Sequence, residues 1–273
     1  MKLNRLQKIL VYGLLIAISL TTLLPFAWMV LTSFKPESEV NDLNPIPKHW
    51  QFGNYGEVMK QAPFFGRYYV NSLLIASWVT FLTVVTSAMA AFAFARLKWP
   101  GRNAVFTLYL ATMMIPGVVI MIPNFQIMVN LRLLDTYAGL IIPASFSAFG
   151  TFMLRQFMLS IPRALDEASI IDGANAWRVF LDVILPLARP GMITLAIFTF
   201  LGNYGSLFWP LIMVKSESMR TLPIGLISFD SLYNKATHLM MAASVMSLVP
   251  PLLLFLVGQK YLVKGIQLGA VKG

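Results

Sequence analysis

The stretch RALDEASIIDGANAWRVFLDVILPLARPG, residues 163–191, separates two long apolar runs of the chain. It holds four of the chain's 11 acidic residues, which are Asp166, Glu167, Asp172 and Asp182. Charged side chains are costly to place in hydrocarbon, so helices that cross a bilayer seldom carry them. The stretch is therefore predicted to leave the membrane between two spans.

The composition requires lipid as part of the solvent. The 273 residues are 58% hydrophobic and 12% charged, and the mean hydropathy is +0.72. A water-soluble domain of this length cannot bury so large an apolar fraction. The absence of cysteine excludes disulfides and thiolate metal or redox sites. We assign the net charge of +10 to basic clusters beside membrane spans rather than to a nucleic-acid partner.

Apolar stretches of the length needed to cross a bilayer, about 20 residues, occur six times. They are residues 9–34, 68–95, 103–131, 136–154, 190–214 and 236–259. This pattern predicts an all-α polytopic membrane protein with six transmembrane helices. The third stretch contains Pro116 and Pro123, and its helix is expected to end near Ile122.

The chain is thus divided into segments predicted to lie in lipid and segments predicted to lie in water. Residues 1–34 are predicted to form an N-terminal segment and a retained first transmembrane helix, and residues 35–67 an extracytoplasmic docking loop. Residues 68–264 form a five-helix core interrupted by a polar loop at 155–190, and residues 265–273 form a tail. If the N-terminus is cytoplasmic, thirteen of the 21 Lys and Arg residues lie inside. Both termini and the polar loop are therefore predicted to be cytoplasmic.

The polar loop is predicted to contain two short helices. Gly173 ends the first, because glycine accepts the left-handed conformation that follows a helix, and Asn175 caps the second. Trp177, Phe180, Leu181 and Ile184 then fall on one apolar stripe. Two interpretations remain open, a helix pair lying flat on lipid and a helix pair seated in a protein groove. The acidic first helix favours the groove.

The residues that several kinds of chemistry require are absent from this sequence. There is no phosphate-binding glycine loop, no charge in the middle of a predicted span, no metal-ligand spacing and no nucleophile beside a base. We therefore expect no catalytic residue, no metal site and no cofactor in this chain. A transport subunit driven by a partner is favoured. An ion-coupled carrier, a passive channel and a membrane enzyme that acts on lipid-linked sugars remain alternatives.

The stretch EASIIDGANAWRVFLDVILP, residues 167–186, resembles the EAA loop of ABC-importer permeases. The positions that define this loop are occupied here by Glu167, Ala168, Ser169, Gly173 and Pro186. Further blocks are similar to the maltose-type carbohydrate branch of this family, at residues 70–102, 113–123, 152–169, 194–214 and 264–273.

The resemblance implies the MetI-like core of an ABC type I importer, with the EAA loop as a cytoplasmic coupling helix. It implies a second homologous permease subunit, two copies of a cytoplasmic ATPase that bind ATP and Mg²⁺, an extracytoplasmic sugar-binding protein, and a bacterial or archaeal cytoplasmic membrane. It assigns the contact with the ATPase to Glu167, Ala168, Ser169, Asp172, Gly173, Trp177 and Pro186.

The fifth predicted span contains the polar run NYGSLFWP, residues 203–210. The carbohydrate branch commonly carries an acidic residue in this region, and this chain does not. A break in a spanning helix is tolerated where it lines a cavity, so the run is a candidate wall of the substrate path. The side chains expected there are Asn203, Tyr204, Ser206, Phe208 and Trp209. The alternative is that Gly202, Gly205 and Ser206 serve close helix packing.

Overall fold

Helices make up the regular secondary structure of residues 4–232 and 236–270, which are the residues that the computed structural model describes; no strand occurs among them. The long helices are α1 (Arg5–Thr32), α3 (Phe65–Ala95) and α14 (Thr237–Ala270). The shorter ones are α2 (Asn54–Gln61), α4 (Arg102–Ala111), α5 (Gly117–Asn130), α6 (Tyr137–Ile141), α7 (Ala148–Leu159), α8 (Ala164–Ile171), α9 (Ala176–Arg178), α10 (Leu185–Leu187), α11 (Arg189–Tyr204), α12 (Phe208–Met213) and α13 (Leu222–Leu232). The predicted all-α fold is confirmed.

Candidate membrane spans are of two kinds. Three helices are long and apolar enough by themselves, namely Arg5–Thr32, Phe65–Ala95 and Thr237–Tyr261. Three further candidates are bent pairs: Arg102–Met114 with Gly117–Asn130 at 99°, Tyr137–Ser145 with Ala148–Leu159 at 43°, and Ala176–Leu187 with Arg189–Tyr204 at 73°. By length and composition, the described chain therefore has three candidate spans, or up to six if each bent pair is one span.

The third predicted span breaks earlier than the sequence suggested. Ile115 is extended, with φ −83° and ψ 119°, and separates α4 with its short 3₁₀ extension from α5. The cause is Pro116, because a proline disfavours the helical conformation of the residue before it. α5 then runs through Pro123 without ending. The expected helix end near Ile122 is therefore wrong.

The chain divides into two compact units, one of Met1–Gly66 with Gly225–Val249 and the other of Arg67–Ile224 with Pro250–Gly273. The predicted tail, residues 265–273, continues α14 as far as Ala270, and its last three residues lie outside the described part of the chain.

In the first unit, residues 33–64 connect α1 to α3, and we call them the first loop. Lys35 is 1% exposed, and its ammonium group donates to the carbonyls of Asp42 and Asn44 at 3.1 and 2.8 Å. The side-chain amide of Asn54 donates to the Lys35 carbonyl at 2.9 Å. Buried polar groups are thus satisfied by backbone atoms of the same loop.

Aromatic rings and surface ion pairs complete the first loop. The ring of Phe34 lies 5.6, 5.2 and 5.4 Å from those of Trp50, Phe52 and Tyr55. The ion pairs are Lys48–Asp42 at 2.9 Å and His49–Glu39 at 2.7 Å. The side chains of Lys48 and His49 are 61% and 79% exposed. The loop therefore has a local core and a solvated rim.

In the second unit, α3, α7, α11 and the residues before α11 share one hydrophobic cluster. Its buried members include Ala88, Ala91, Phe92, Ala95, Leu154, Met158, Val179, Phe180, Ile184 and Leu195. Gly150 permits the close approach of α7, since a Cβ there would lie 2.6 Å from the Ser87 hydroxyl and 3.1 Å from Leu195. Small residues at such contacts are typical of helices that pack in lipid.

A hydrogen-bonded turn fixes the connection between α5 and α6. Asp135 has a left-handed φ of 59°. Its carboxylate accepts from the amides of Lys215 and Ser216 at 3.0 and 3.1 Å, and from the Ser216 hydroxyl at 3.0 Å. Burial raises the pKa of Asp135, but these hydrogen bonds outweigh it and hold the pKa below its ordinary value. The turn is thereby tied to the residues that follow α12.

Candidate functional site

Residues 160–188 lie between α7 and α11, and we call them the arm. Its first helix, α8, ends at Gly173, whose φ of 85° is left-handed. The amide of Gly173 donates to the Ile170 carbonyl at 3.0 Å, and the amide of Ala174 to the Ser169 carbonyl at 2.9 Å. This is the Schellman arrangement, in which glycine is favoured because it has no Cβ. The predicted helix end at Gly173 is confirmed.

The second half of the arm is one continuous helical segment, Ala176–Leu187. The side-chain oxygen of Asn175 accepts from the Arg178 amide at 2.9 Å, so the predicted cap is confirmed. The middle of the segment, Val179–Ile184, is a π-helical turn, and α10 follows it directly with Pro186 as its second residue. Such turns occur mostly as single widened turns within α-helices, frequently at functional sites.

The predicted apolar stripe of this segment is buried at two positions and exposed at two. Phe180 and Ile184 are 4% and 0% exposed and belong to the hydrophobic cluster. Trp177 and Leu181 are 56% and 40% exposed, although the Trp177 ring lies 5.4 Å from that of Phe180. The segment is therefore anchored through one part of its apolar surface and presents the rest.

The outward face of α8 combines a carboxylate with apolar side chains. Glu167 and Ala168 are exposed, and Ile170 and Ile171 are 60% and 85% exposed. α8 lies outside every candidate span, and exposed large apolar side chains of this kind mark a contact surface. The sequence analysis missed the two isoleucines. They could have been recognised as a pair of large apolar residues directly before the end of a helix, outside the apolar stripe of the following segment.

The residues that the resemblance assigned to ATPase contact all lie in the arm. Those that are exposed are Glu167, Ala168, Asp172, Gly173, Trp177 and Pro186. Ser169 is half-buried, and its hydroxyl donates to the Leu165 carbonyl at 2.9 Å within its own helix. Their contact with a partner stays a prediction.

A buried ion pair in this region escaped the sequence analysis. Nη1 of Arg96, the residue after α3, lies 3.3 Å from Oδ2 of Asp166 in α8, and Nη2 donates to the Ile161 carbonyl at 2.8 Å. The two side chains are 4% and 15% exposed. Burial lowers the pKa of Arg96, Asp166 raises it, and the charge of Arg163 lowers it, so this pKa lies below its ordinary value. The guanidinium stays charged at neutral pH.

A cavity of about 180 Å³ lies among α3, α5, α6, α11 and α12 of the second unit. Its polar lining consists of Ser72, Asn124, Asn203, Ser206, Trp209 and Thr221. The remaining lining residues are apolar, and none of the lining residues that the structure describes carries a charge. A mostly apolar pocket with a few convergent polar groups is typical of a small-molecule site. We call it the Asn203 cavity.

Of the residues predicted along the substrate path, three line this cavity and two do not. Asn203, Ser206 and Trp209 are at its wall, and the break between α11 and α12 positions them there. Tyr204 is 6% exposed, and its ring stacks on Phe200 at 5.7 Å. Phe208 is 69% exposed. Contact of these residues with a substrate stays a prediction.

These features together define a membrane transport component: helices long and apolar enough to cross a bilayer, a cavity with polar groups among them, and a helix outside every candidate span, α8, with an exposed face for a partner. Among the described residues, no group of three or more His, Cys, Asp or Glu could hold a metal ion. Residues 83–268, which include the arm, match the family described as binding-protein-dependent transport system inner membrane component. The chain belongs to this family, and it is a multi-pass transport subunit of the membrane rather than an enzyme.

Relatives and solved structures agree with this assignment. The arabinooligosaccharides transport system permease protein AraQ of Bacillus subtilis (strain 168) is 35% identical over 94% of this chain and 92% of its own length. The sn-glycerol-3-phosphate transport system permease protein UgpE of Yersinia enterocolitica is 35% identical over 82% of each chain. A bacterial ABC transporter involved in the import of the acidic polysaccharide alginate contains a chain of the same fold, with a TM-score of 0.84 and 24% identity over 96% of this chain and 99% of that one. The resemblance to carbohydrate ABC-importer permeases is confirmed.

Proposed function

We propose that this chain is one permease subunit of an ATP-driven importer of neutral oligosaccharides. It works with a second, homologous permease, two copies of a cytoplasmic ATPase and an extracytoplasmic sugar-binding protein. ATP and Mg²⁺ bind to the ATPase, since this sequence carries no phosphate-binding loop. The membrane is the cytoplasmic membrane of a bacterium or archaeon.

The observation that carries the coupling role is the outward face of α8. Its exposed Glu167 and its exposed Ile170 and Ile171 suit a protein groove that offers both a cation and an apolar floor. A lipid surface is a poorer match, because membrane surfaces are usually anionic and would repel the carboxylates of α8. We therefore assign this face to the ATPase.

The coupling role is tested by copurification of the complete assembly from membranes. We expect Glu167→Ala to weaken retention of the ATPase by about tenfold, which corresponds to loss of a charge-assisted contact. Asp182→Asn is the matched control, because Asp182 is an exposed acid of the arm that lies outside the assigned surface. Retention and uptake equal to wild type in Glu167→Ala would rule out this face as the ATPase contact.

The cargo is assigned from the lining of the Asn203 cavity. The relatives are named for a neutral oligosaccharide in one case and for sn-glycerol-3-phosphate in the other. A phosphate is recognised in proteins by Arg, Lys or clustered backbone amides. The polar side chains of the lining are instead carboxamides, hydroxyls and an indole. Hydroxyl and amide groups with an aromatic face suit a sugar. A neutral sugar is therefore the better match.

Uptake by the reconstituted assembly tests the cargo. Proteoliposomes that contain ATP and receive the binding protein outside are offered labelled arabinotriose, diacetylchitobiose or sn-glycerol-3-phosphate. We expect uptake of a neutral sugar and a reduction of about fivefold in Asn203→Ala, the effect of one hydrogen bond. Asn130→Ala, at the exposed end of α5, is the matched control. Uptake of sn-glycerol-3-phosphate alone would contradict the proposal.

The orientation is proposed from the distribution of basic residues, with both termini in the cytoplasm. The chain has no cysteine, so single cysteines report their side without interference. We expect Lys48→Cys to react with an impermeant thiol reagent added to intact cells, and Lys98→Cys to react only in inverted vesicles. The opposite pattern would reverse the proposed topology.

A further inference from the structure

α8 packs against Val179–Ile184, but few of its side chains are shielded from solvent. None of its eight residues is buried, and Asp166 and Ser169 are the two that are not exposed. The Ser169 hydroxyl is used within α8. Within residues 4–232 and 236–270, Asp166 makes the one ion pair of this helix. The helix that presents the outward face thus lacks an apolar side chain inserted into the hydrophobic cluster.

The partner of Asp166 belongs to a long helix that reaches the Asn203 cavity. The amide of Arg96 donates to the Phe92 carbonyl at 2.8 Å, so Arg96 continues the hydrogen bonding of α3. Ser72 of the same helix lines the cavity. A helix transmits displacement along its axis as a stiff rod, because every turn is hydrogen-bonded to the next. Arg96 therefore stands at one end of a rod whose other part borders the cavity.

The surroundings of the ion pair make it resistant to separation. The Arg96 side chain is 4% exposed and the Asp166 side chain 15% exposed. Separation would leave a guanidinium and a carboxylate in a poorly solvated site, which is strongly unfavourable. The second bond of Arg96, to the Ile161 carbonyl beyond α7, fixes the guanidinium in the orientation that Asp166 meets.

We infer that the Arg96–Asp166 ion pair is the link that makes α8 and α3 move as one body, so that a displacement of α8 reaches the helix that lines the Asn203 cavity. This inference rests on the proposed coupling to an ATPase. It gives two adjacent acids different roles, since Glu167 faces outward to the partner and Asp166 faces inward to the span. Arg96 and Asp166 are positioning residues, because they act through α3 rather than on the cargo.

The first test is the ratio of sugar imported to ATP hydrolysed by the complete assembly in proteoliposomes. Asp166→Asn keeps the shape of the side chain and removes its charge. Because the outward face is unchanged, we expect the ATPase to copurify and to respond to the binding protein. Import per ATP should fall at least fivefold, within the usual range of coupling energies. Asp182→Asn should leave the ratio unchanged.

Two results of this test would overturn the link. One is a ratio equal to wild type in Asp166→Asn. The other is a loss of import in strict proportion to a loss of ATPase copurification, which would place Asp166 in the partner contact instead. A merely structural role would lower the yield of folded assembly without changing the ratio in the assemblies that remain, so it too would contradict the inference.

The second test replaces the ion pair by a covalent bridge and does not depend on the folding of Asp166→Asn. Arg96→Cys with Asp166→Cys is joined by a short, reducible bifunctional thiol reagent in an assembly of cysteine-free partners. We expect the bridged assembly to regain import per ATP and to lose it again on reduction. Each single cysteine variant, treated alike, is the control. A bridged assembly that binds the ATPase and fails to import would show that the pair must open during transport.

The yield of bridging separates failure of this inference from failure of the proposed function. If wild type showed no ATP-dependent sugar uptake, the proposed cargo or the proposed assembly would be wrong. Bridging yield could still be compared without nucleotide and with ATP and vanadate. Equal yields support a link that stays closed, and a yield that falls in one state overturns it.

Discussion

The first loop and the arm both bury a basic side chain outside the candidate spans, and they do so in opposite ways. Lys35 donates to carbonyls of its own loop, which also holds a local aromatic cluster. Arg96 is paired with a carboxylate of another helix, far away in the sequence. The first loop therefore holds its own shape, whereas α8 packs against Val179–Ile184 and is tied by an ion pair to Arg96, the residue after α3. A segment of the first kind suits a fixed platform, and a segment of the second kind suits a moving part.

The largest effect is expected where the buried charge loses its partner. Arg96→Met should destabilise the folded protein by at most about 3–5 kcal/mol, the range for a fully buried pair, because the Asp166 carboxylate, 15% exposed, is left without its partner. Arg96→Met with Asp166→Leu should recover most of this loss, since two apolar side chains can replace a buried pair. Thermal unfolding in detergent measures both, with Lys98→Met as the exposed control. A loss in Arg96→Met no greater than in this control would show that the pair is solvated.

A smaller and local effect is expected in the first loop. Lys35→Met keeps the side-chain volume but removes two charge-assisted hydrogen bonds, at a cost of about 2 kcal/mol. Because the loop is stabilised within itself, the change should appear as faster proteolysis of residues 33–64. Lys60→Met, at a side chain that is 78% exposed, is the control. Equal proteolysis in both variants would contradict a self-contained loop.

The stability of the protein should fall when the glycine after α8 is replaced by a residue that disfavours a left-handed φ. Gly173→Ala forces a Cβ onto a residue with a φ of 85°, at a cost of about 1 kcal/mol. The added Cβ meets no atom within 4 Å, so the cost is conformational rather than steric. Gly117→Ala is the matched control, because its Cβ is equally unobstructed and its φ is not left-handed. Chemical unfolding that ranked the two variants in the reverse order would argue against the left-handed end.

The smallest effect is expected at the exposed rim of the first loop. The His49 hydrogen bond lowers the pKa of Glu39, and the Lys48 hydrogen bond lowers that of Asp42. A carboxyl with a lowered folded-state pKa stabilises above its unfolded pKa, about 4, and this stabilisation is lost as the pH falls through the folded value. Because the side chains of Asp42 and Lys48 are 36% and 61% exposed, Asp42→Asn should lower the Tm at pH 7 only slightly and change its acid dependence only slightly. A large drop of the Tm at pH 7 would contradict a solvated rim.

The features that could be predicted from the sequence are those decided by neighbouring residues. Gly173 and Asn175 end one helix and cap the next because their own backbone and side chain satisfy the local amides. The spans follow from uninterrupted apolar composition, and the matched residues of the EAA loop pointed to the family. In each case the deciding contacts lie within one or two turns of chain.

The features that escaped prediction depend on residues that are distant in sequence or on a choice between equivalent signals. The Arg96–Asp166 pair joins two elements that nothing in their local sequences relates. Both Pro116 and Pro123 could have ended the third span, and the chain bends at the first because Ile115 takes the extended conformation there. Tyr204 and Phe208 shared the polar run with Asn203, but the helix break turned them away from the cavity.

α1 carries a consequence for how such a subunit can be re-engineered. In its most apolar 18-residue window no residue is buried within the described chain, and the family match begins at residue 83, well after this helix. A helix stretch that packs against nothing else in its own chain is not constrained in shape by that chain. Its side chains should be exchangeable as long as their summed apolarity is kept, so that a shuffled α1 still enters the bilayer. The same helix is then a natural place to splice in an affinity handle or an anchor from an unrelated protein.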